Sequence, residues 1–193
     1  MKVAYGLKAH SGWAALIVLG KRDVEWVLVD RRRVELVEEE WAKQPYHAAW
    51  ELKGDEARKL VRRGTDSAFS IARREMRAAV KREREQKNEV VACAVLVGNP
   101  MPKWSVEEIL SVHFRMHQAE GVLFRDALVH AARQCKLDVI EVPEKTLVSY
   151  AERFLRVSHD ELSKRISAIG KLAGPPWGKD QKDAALAAMI AIA

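Results

Sequence analysis

Two aspartates one helical turn apart, Asp180 and Asp183, open the last apolar stretch of the chain, DQKDAALAAMIAIA, behind a Pro-Pro-Trp lead-in. Two roles fit that spacing. Asp180 can accept a hydrogen bond from a free amide of the first helical turn, and Asp183 sits where the helix dipole favours negative charge. Alternatively, the pair supplies oxygen ligands to a divalent metal. A second group lies in SVHFRMHQAEG, where His113, His117 and Glu120 recur at i, i+4 and i+7 and so share one face of a helix. Imidazoles titrate near neutral pH, so this face suits acid–base work, or metal binding by histidine and carboxylate together. The plainer reading is local hydrogen bonding, with Glu120 paired to a base such as Lys8. HExxH zinc spacing is absent, because no acid directly follows either histidine. Lys8 and His10 in GLKAHSGWA, and His47 in the loop-like QPYHAAW, complete the chemically active set.

Several classes are excluded by pattern. GLKAHSGWA has only Gly6 and Gly12 and no following helix, so it is neither a P-loop nor a dinucleotide fingerprint. No GxSxG elbow occurs, and Cys93 and Cys135 are isolated, with no CxxC spacing for zinc or redox work. They fit a reducing compartment. The longest early apolar run, residues 13–19, is too short to span a bilayer, so no membrane segment and a cytoplasmic location are expected.

Charge is unevenly spread. The net charge is +6, and residues 53–88 alone hold twelve Lys and Arg against six Asp and Glu, an excess as large as the whole chain's. Arg73, Arg74, Arg77, Lys81 and Arg82 make a basic stripe suited to a phosphate backbone. Interleaved Glu75, Glu83 and Glu85 also allow a solvated face with i,i+4 pairs. Trp41, Trp50, Trp104 and Trp177 fall in or near connections, where exposed rings stack bases and buried ones plug sheet ends.

These residues need a scaffold. Residues 1–7, 12–19 and 24–30 read as short strands, the last two joined by a turn at Gly20-Lys21-Arg22-Asp23 and the third lengthened by 33–37. They form an antiparallel meander. Helical periodicity follows over 55–87, broken from the meander by a connection in which Gln44-Pro45 forbids a continuous helix. The run VVACAVLV, within 89–97, is apolar on both faces, as in a central parallel strand. A second long helix over 106–136, a short strand at 138–142 and helices at 144–155, 160–172 and 180–193 complete the order. The expectation is a single α/β domain, residues 1–193, with a five-stranded mixed sheet flanked by helices.

That order resembles the ribonuclease H-like fold and, within it, the RuvC-type Holliday-junction resolvases. Three stretches carry the resemblance: GLKAHSGWAALIVL is similar to the first hairpin, HQAEGVLFRDALVHAARQCKLDVIEVPEKTL to the helix running into strand five, and DQKDAALAAMIA to the D-x-x-D-A-x-A-x-A terminal helix. The resemblance implies phosphodiester hydrolysis by two divalent ions, Mg²⁺ or Mn²⁺, held by acids that include Asp180 and Asp183, with Glu120 as a further candidate ligand. It also implies a nucleic-acid partner, DNA or RNA, and a homodimer. Two positions depart from the pattern. Lys8 stands where the first-strand metal-binding aspartate is expected, and Asn99 meets the acid at the end of strand four. An ammonium repels Mg²⁺, so the expectation is a salt bridge from Lys8 to Asp180 or Asp183 in place of a metal.

Three functional readings follow. The first is a RuvC-like nucleic-acid-binding or processing protein with a remodelled or inactive nuclease centre. The second is a non-catalytic scaffold on the same architecture. The third is an enzyme of another class, which requires Lys8, His10, His117, Glu120 and Asp180 to converge in one cleft.

Overall fold

The computed structural model describes residues 1–23 and 25–193. Three strands, β1 (Lys2–His10), β2 (Trp13–Arg22) and β3 (Glu25–Glu35), form the antiparallel meander. β4 (Glu89–Val97) and β5 (Asp138–Pro143) extend the sheet in parallel on the other side of β1, giving the order β3-β2-β1-β4-β5. The expected turn is displaced, because Gly20, Lys21 and Arg22 pair with Val27, Trp26 and Glu25 and belong to β2. The expected start of the third strand, Val24, lies outside the described residues. β3 runs unbroken to Glu35, absorbing the predicted extension.

The helices are α1 (Pro45–Ala48), α2 (Gly54–Glu85), α3 (Val106–Leu110), α4 (His113–Gln134), α5 (Leu147–Leu155), α6 (His159–Ala173) and α7 (Lys179–Ile192). The single helix expected over 106–136 is two. Ser105 accepts a hydrogen bond from the Glu108 amide while Glu108 accepts one from the Ser105 amide, which caps α3. Val112 then adopts extended geometry (φ −139°, ψ 114°), so a new helix begins at His113. No helix among the described residues is long and apolar enough to cross a membrane.

Strand alternation sorts β1 between two cores. Val3, Tyr5 and Leu7 pack with Ala68, Ala72 and Met76 of α2 and with Leu123, Phe124 and Ala127 of α4. The opposite face carries Ile17, Ala94 and Leu96 under α7, with α5 and α6 beyond it. Lys8 follows the parity of Ala4 and Gly6 and so faces α7. Small residues bring that helix unusually close: a Cβ on Gly6 would lie 1.8 Å from the Ala184 carbonyl oxygen. Two residues along β1 advance about 7 Å and four along α7 about 6 Å, so contact at Gly6 and Ala184 places Lys8 beside Asp180 at the charged end. Arg31 of β3 fixes the approach to α7 by donating to the carbonyls of Gly174 (2.9 Å) and Pro176 (2.7 Å).

Substitution of Gly6 by Ala should therefore separate α7 from the sheet. The expected cost is about 3 kcal/mol or more, a fall of roughly 6–12 °C in the midpoint of thermal unfolding followed by circular dichroism. An unchanged midpoint would show that the helix does not rest on this strand.

Candidate functional site

At the carboxyl end of β1 the Lys8 side chain, only 5% exposed, enters a group of three carboxylates. Its Nζ donates to Asp183 Oδ2 at 2.7 Å and lies 3.1 Å from Glu144 Oε1 and 3.2 Å from Asp180 Oδ1. Asp183 also meets Lys179, and Arg125 approaches Glu144 at 3.5 Å. Three carboxylates thus face three cations. His10 Nε2 sits 3.1 Å from Asp180 Oδ1 without the alignment of a hydrogen bond. Its ring stacks on Trp13 at 4.3 Å, and the Arg33 guanidinium lies 4.0 Å from the same indole.

Burial alone would lower the Lys8 pKa, but its hydrogen bonds to Asp183 and Glu144 outweigh desolvation and hold it above the ordinary lysine value. For Asp180, burial pushes upward and is outweighed by the charge of His10 and the Lys8 hydrogen bond, leaving the carboxyl below its usual range. Both signs favour the ion pairs across a wide interval. The Asp180 contribution is present above its unfolded pKa and lost as pH falls below about 4; the Lys8 contribution is present below its unfolded pKa and lost as pH rises past about 10.

The aspartates do not cap α7. Gly178 is the N-cap residue, and Gln181 rather than Asp180 accepts from its amide, at 3.0 Å. Nor does the donor set as it stands suit Mg²⁺ or Mn²⁺, because the Lys8 ammonium lies within 3.2 Å of oxygens from Asp180, Asp183 and Glu144. Asn99 lies past the end of β4, lining a cavity of about 350 Å³ with Arg125, Asp126 and Glu141. The third carboxylate is instead Glu144, immediately after β5. Sequence reasoning missed it, although ligands commonly gather at the carboxyl ends of parallel strands.

His117 and Glu120 are not brought to Lys8. Both lie on α4, whose core residues meet the odd-numbered residues of β1, so the sheet separates them from the even-numbered Lys8. Glu120, 2% exposed, accepts from His47 Nδ1 at 2.8 Å (Oε2) and 3.0 Å (Oε1), and from the amides of Tyr46 at 3.2 Å and His47 at 3.1 Å. Its oxygens are therefore occupied, which removes it as a ligand for an ion at Asp180 and Asp183. The ring nitrogens of His47, His113 and His117 come within 4.8 Å of one another. Gly64 of α2 positions this group by leaving room for Pro45, against which a Cβ would sit 2.6 Å away.

The basic stripe lies elsewhere again. α2 ends near the start of β1, where Asn88 bonds Glu83 and the Glu89 amide bonds the Met1 carbonyl, the end of the sheet remote from Lys8. Arg73, Arg77 and Lys81 are exposed, Arg74 is tied to Glu38 and Glu75, and Arg82 is half-buried with Nε unpartnered. Lys81 meets Glu85 only at 3.8 Å. Trp50 is 56% exposed, whereas Trp41, Trp104 and Trp177 are half-buried.

Removing the buried ammonium should leave three carboxylates repelling one another. Lys8→Met is expected to cost about 3–5 kcal/mol at pH 7 in urea unfolding, with the cost shrinking as pH falls toward 4 and the acids protonate. Adding Asp183→Asn should recover part of the loss. A cost independent of pH would mean that Lys8 acts by packing and not by charge.

No protein-family model matches the sequence, and no curated protein matches it. Solved structures do match. Thermus thermophilus RuvC aligns at 14% identity and a TM-score of 0.54, covering 97% of this chain and 92% of its own. T. thermophilus RuvC in complex with a Holliday junction substrate aligns at 13% identity and a TM-score of 0.53, covering 98% and 92%. Together with the strand order, these similarities identify the architecture: the chain has a RuvC-like, ribonuclease H-like fold.

Proposed function

We propose that this chain binds nucleic acid on a RuvC-like scaffold whose metal centre is replaced by an internal ion-pair network. One observation carries the reading: Lys8 Nζ lies within 3.2 Å of carboxylates from Asp180, Asp183 and Glu144. Two-ion hydrolysis needs those oxygens for cations held about 4 Å apart, and a resident ammonium competes for them directly. Phosphates have a better landing place on α2. Arg77, Lys81 and Arg84 line a groove of about 260 Å³ with Val80, Gln134 and Cys135, and Arg73 extends the exposed basic edge toward the amino end of the helix. A strand following that edge runs far from the Lys8 cluster, which favours binding without cleavage. The reading of an enzyme working through Lys8, His10, His117, Glu120 and Asp180 is not supported, because those side chains divide between two faces of the sheet.

A Holliday junction is the substrate bound by the T. thermophilus RuvC complex, so a four-way DNA junction is the first probe, beside linear DNA and RNA duplexes. Fluorescence anisotropy should detect binding at 50 mM KCl that weakens about 10- to 150-fold by 200 mM, as expected for two to four phosphate contacts. Arg77→Glu with Lys81→Glu should weaken it at least about 10-fold while leaving thermal unfolding unchanged. Incubation with Mg²⁺ or Mn²⁺ should leave the junction uncut. Cleavage abolished by Asp180→Asn would overturn the loss of the metal centre, and absence of salt-sensitive binding would overturn the nucleic-acid partner in favour of a protein-binding scaffold.

A further inference from the structure

His47, His113 and His117 come together from two elements far apart in sequence. Pro45 packs on Gly64 and holds α1, placing His47 over the first turns of α4, where His113 and His117 stand at i and i+4. The ring centroids lie 5.1 Å apart for His47 and His113, and 4.6 Å for each of the other two pairs. Glu120 fixes one ring chemically. A carboxylate only accepts, so His47 Nδ1 carries the proton that it donates at 2.8 Å, and in the neutral ring His47 Nε2 keeps a free lone pair. That lone pair points into the group: His47 Nε2 is 3.3 Å from His113 Nε2.

We propose that His47, His113 and His117 form a three-histidine site for a transition-metal ion of the zinc class, with Glu120 as the positioning residue for His47. Zinc–nitrogen bonds of about 2.0–2.1 Å at a tetrahedral angle place ligand nitrogens about 3.3 Å apart, the separation found between His47 and His113. The His117 nitrogen, within 4.8 Å of both, reaches the same point by a small rotation of an exposed ring. A carboxylate bonded to the distal nitrogen of a metal-binding histidine is the usual support for such a ligand, and Glu120 provides it from a buried position also held by two backbone amides. Three neutral imidazoles favour zinc, nickel or copper over Mg²⁺ and Ca²⁺, which take oxygen. His113 and His117 are exposed, so the fourth position faces solvent and accepts water or an anionic oxygen. The site shares no residue with the Lys8 cluster and lies across the sheet from it, so it stands whether or not the chain binds nucleic acid.

A hydrogen bond donated by His113 to His47 also satisfies the 3.3 Å contact, and metal titration separates the two accounts. The full chain, stripped with a chelator, is titrated with ZnCl₂ against a chromophoric competitor and separately with CoCl₂. One equivalent of Zn²⁺ should bind with a Kd of about 1 µM or tighter, and Co²⁺ should give the intense visible absorption of a four-coordinate site. His113→Ala and His117→Ala, which remove exposed rings, should each weaken binding at least about 100-fold with unchanged circular dichroism, and Glu120→Gln should weaken it about 10- to 100-fold. His130→Ala, beside Phe69 farther along α4, should bind as the parent does. Binding absent at 100 µM metal, retained in both histidine variants, or lost instead in Asp180→Asn/Asp183→Asn would overturn the proposal.

Discussion

An ammonium taken out of water must be surrounded by negative charge, and that requirement dictates which parts of this chain meet. Lys8 projects from the end of β1 toward α7. Asp180 and Asp183 come from the first turns of α7, and Glu144 from the turn that follows β5. None of these three segments could shift by one residue without stranding a buried charge. Lys179 and Arg125 then balance the two carboxylates that Lys8 alone cannot neutralise. The network thereby fixes the join between the terminal helix and the sheet more tightly than apolar packing would, since apolar contacts tolerate sliding and paired charges do not.

The sheet divides the molecule's chemistry. Alternation along β1 sends Tyr5 and Leu7 toward α2 and α4, and Gly6 and Lys8 toward α7. The result is a lysine–carboxylate network under one face and a histidine group beside the other. The first draws its carboxylates from α7 and the turn after β5 and the second its rings from α1 and α4, with Arg125 of α4 reaching past the sheet edge to Glu144.

Much of this was legible in the sequence, and the failures have physical causes. The meander, the central apolar strand and the terminal acids followed from periodicity and from the family resemblance, and the pairing of Lys8 with Asp180 or Asp183 followed from the position that the resemblance gave Lys8, an ammonium where relatives carry a carboxylate. The placement of Glu120 near Lys8 failed because helical spacing tells which residues share a face, not which side of a sheet the helix covers. Parity of β1 decides that, and it becomes readable only when strand register is known. Glu144 escaped because a single acid after a strand carries no spacing pattern of its own. His47 escaped as the partner of Glu120 because the contact spans 73 residues and depends on Pro45 packing against Gly64. The break at Val112 was masked by apolar periodicity that continues through it.

The absence of a side chain at Gly6 makes that point a fulcrum. α7 rests there backbone against backbone, with its acidic start on one side and the apolar residues through Ile190 on the other. A helix of this length is about 21 Å long, so a tilt of a few degrees about the pivot moves each tip by about an ångström. Drift in the packing of Met189 or Ile190 is thus transmitted to the carboxylates as leverage, and the Ala-rich middle of the helix is what keeps the beam level.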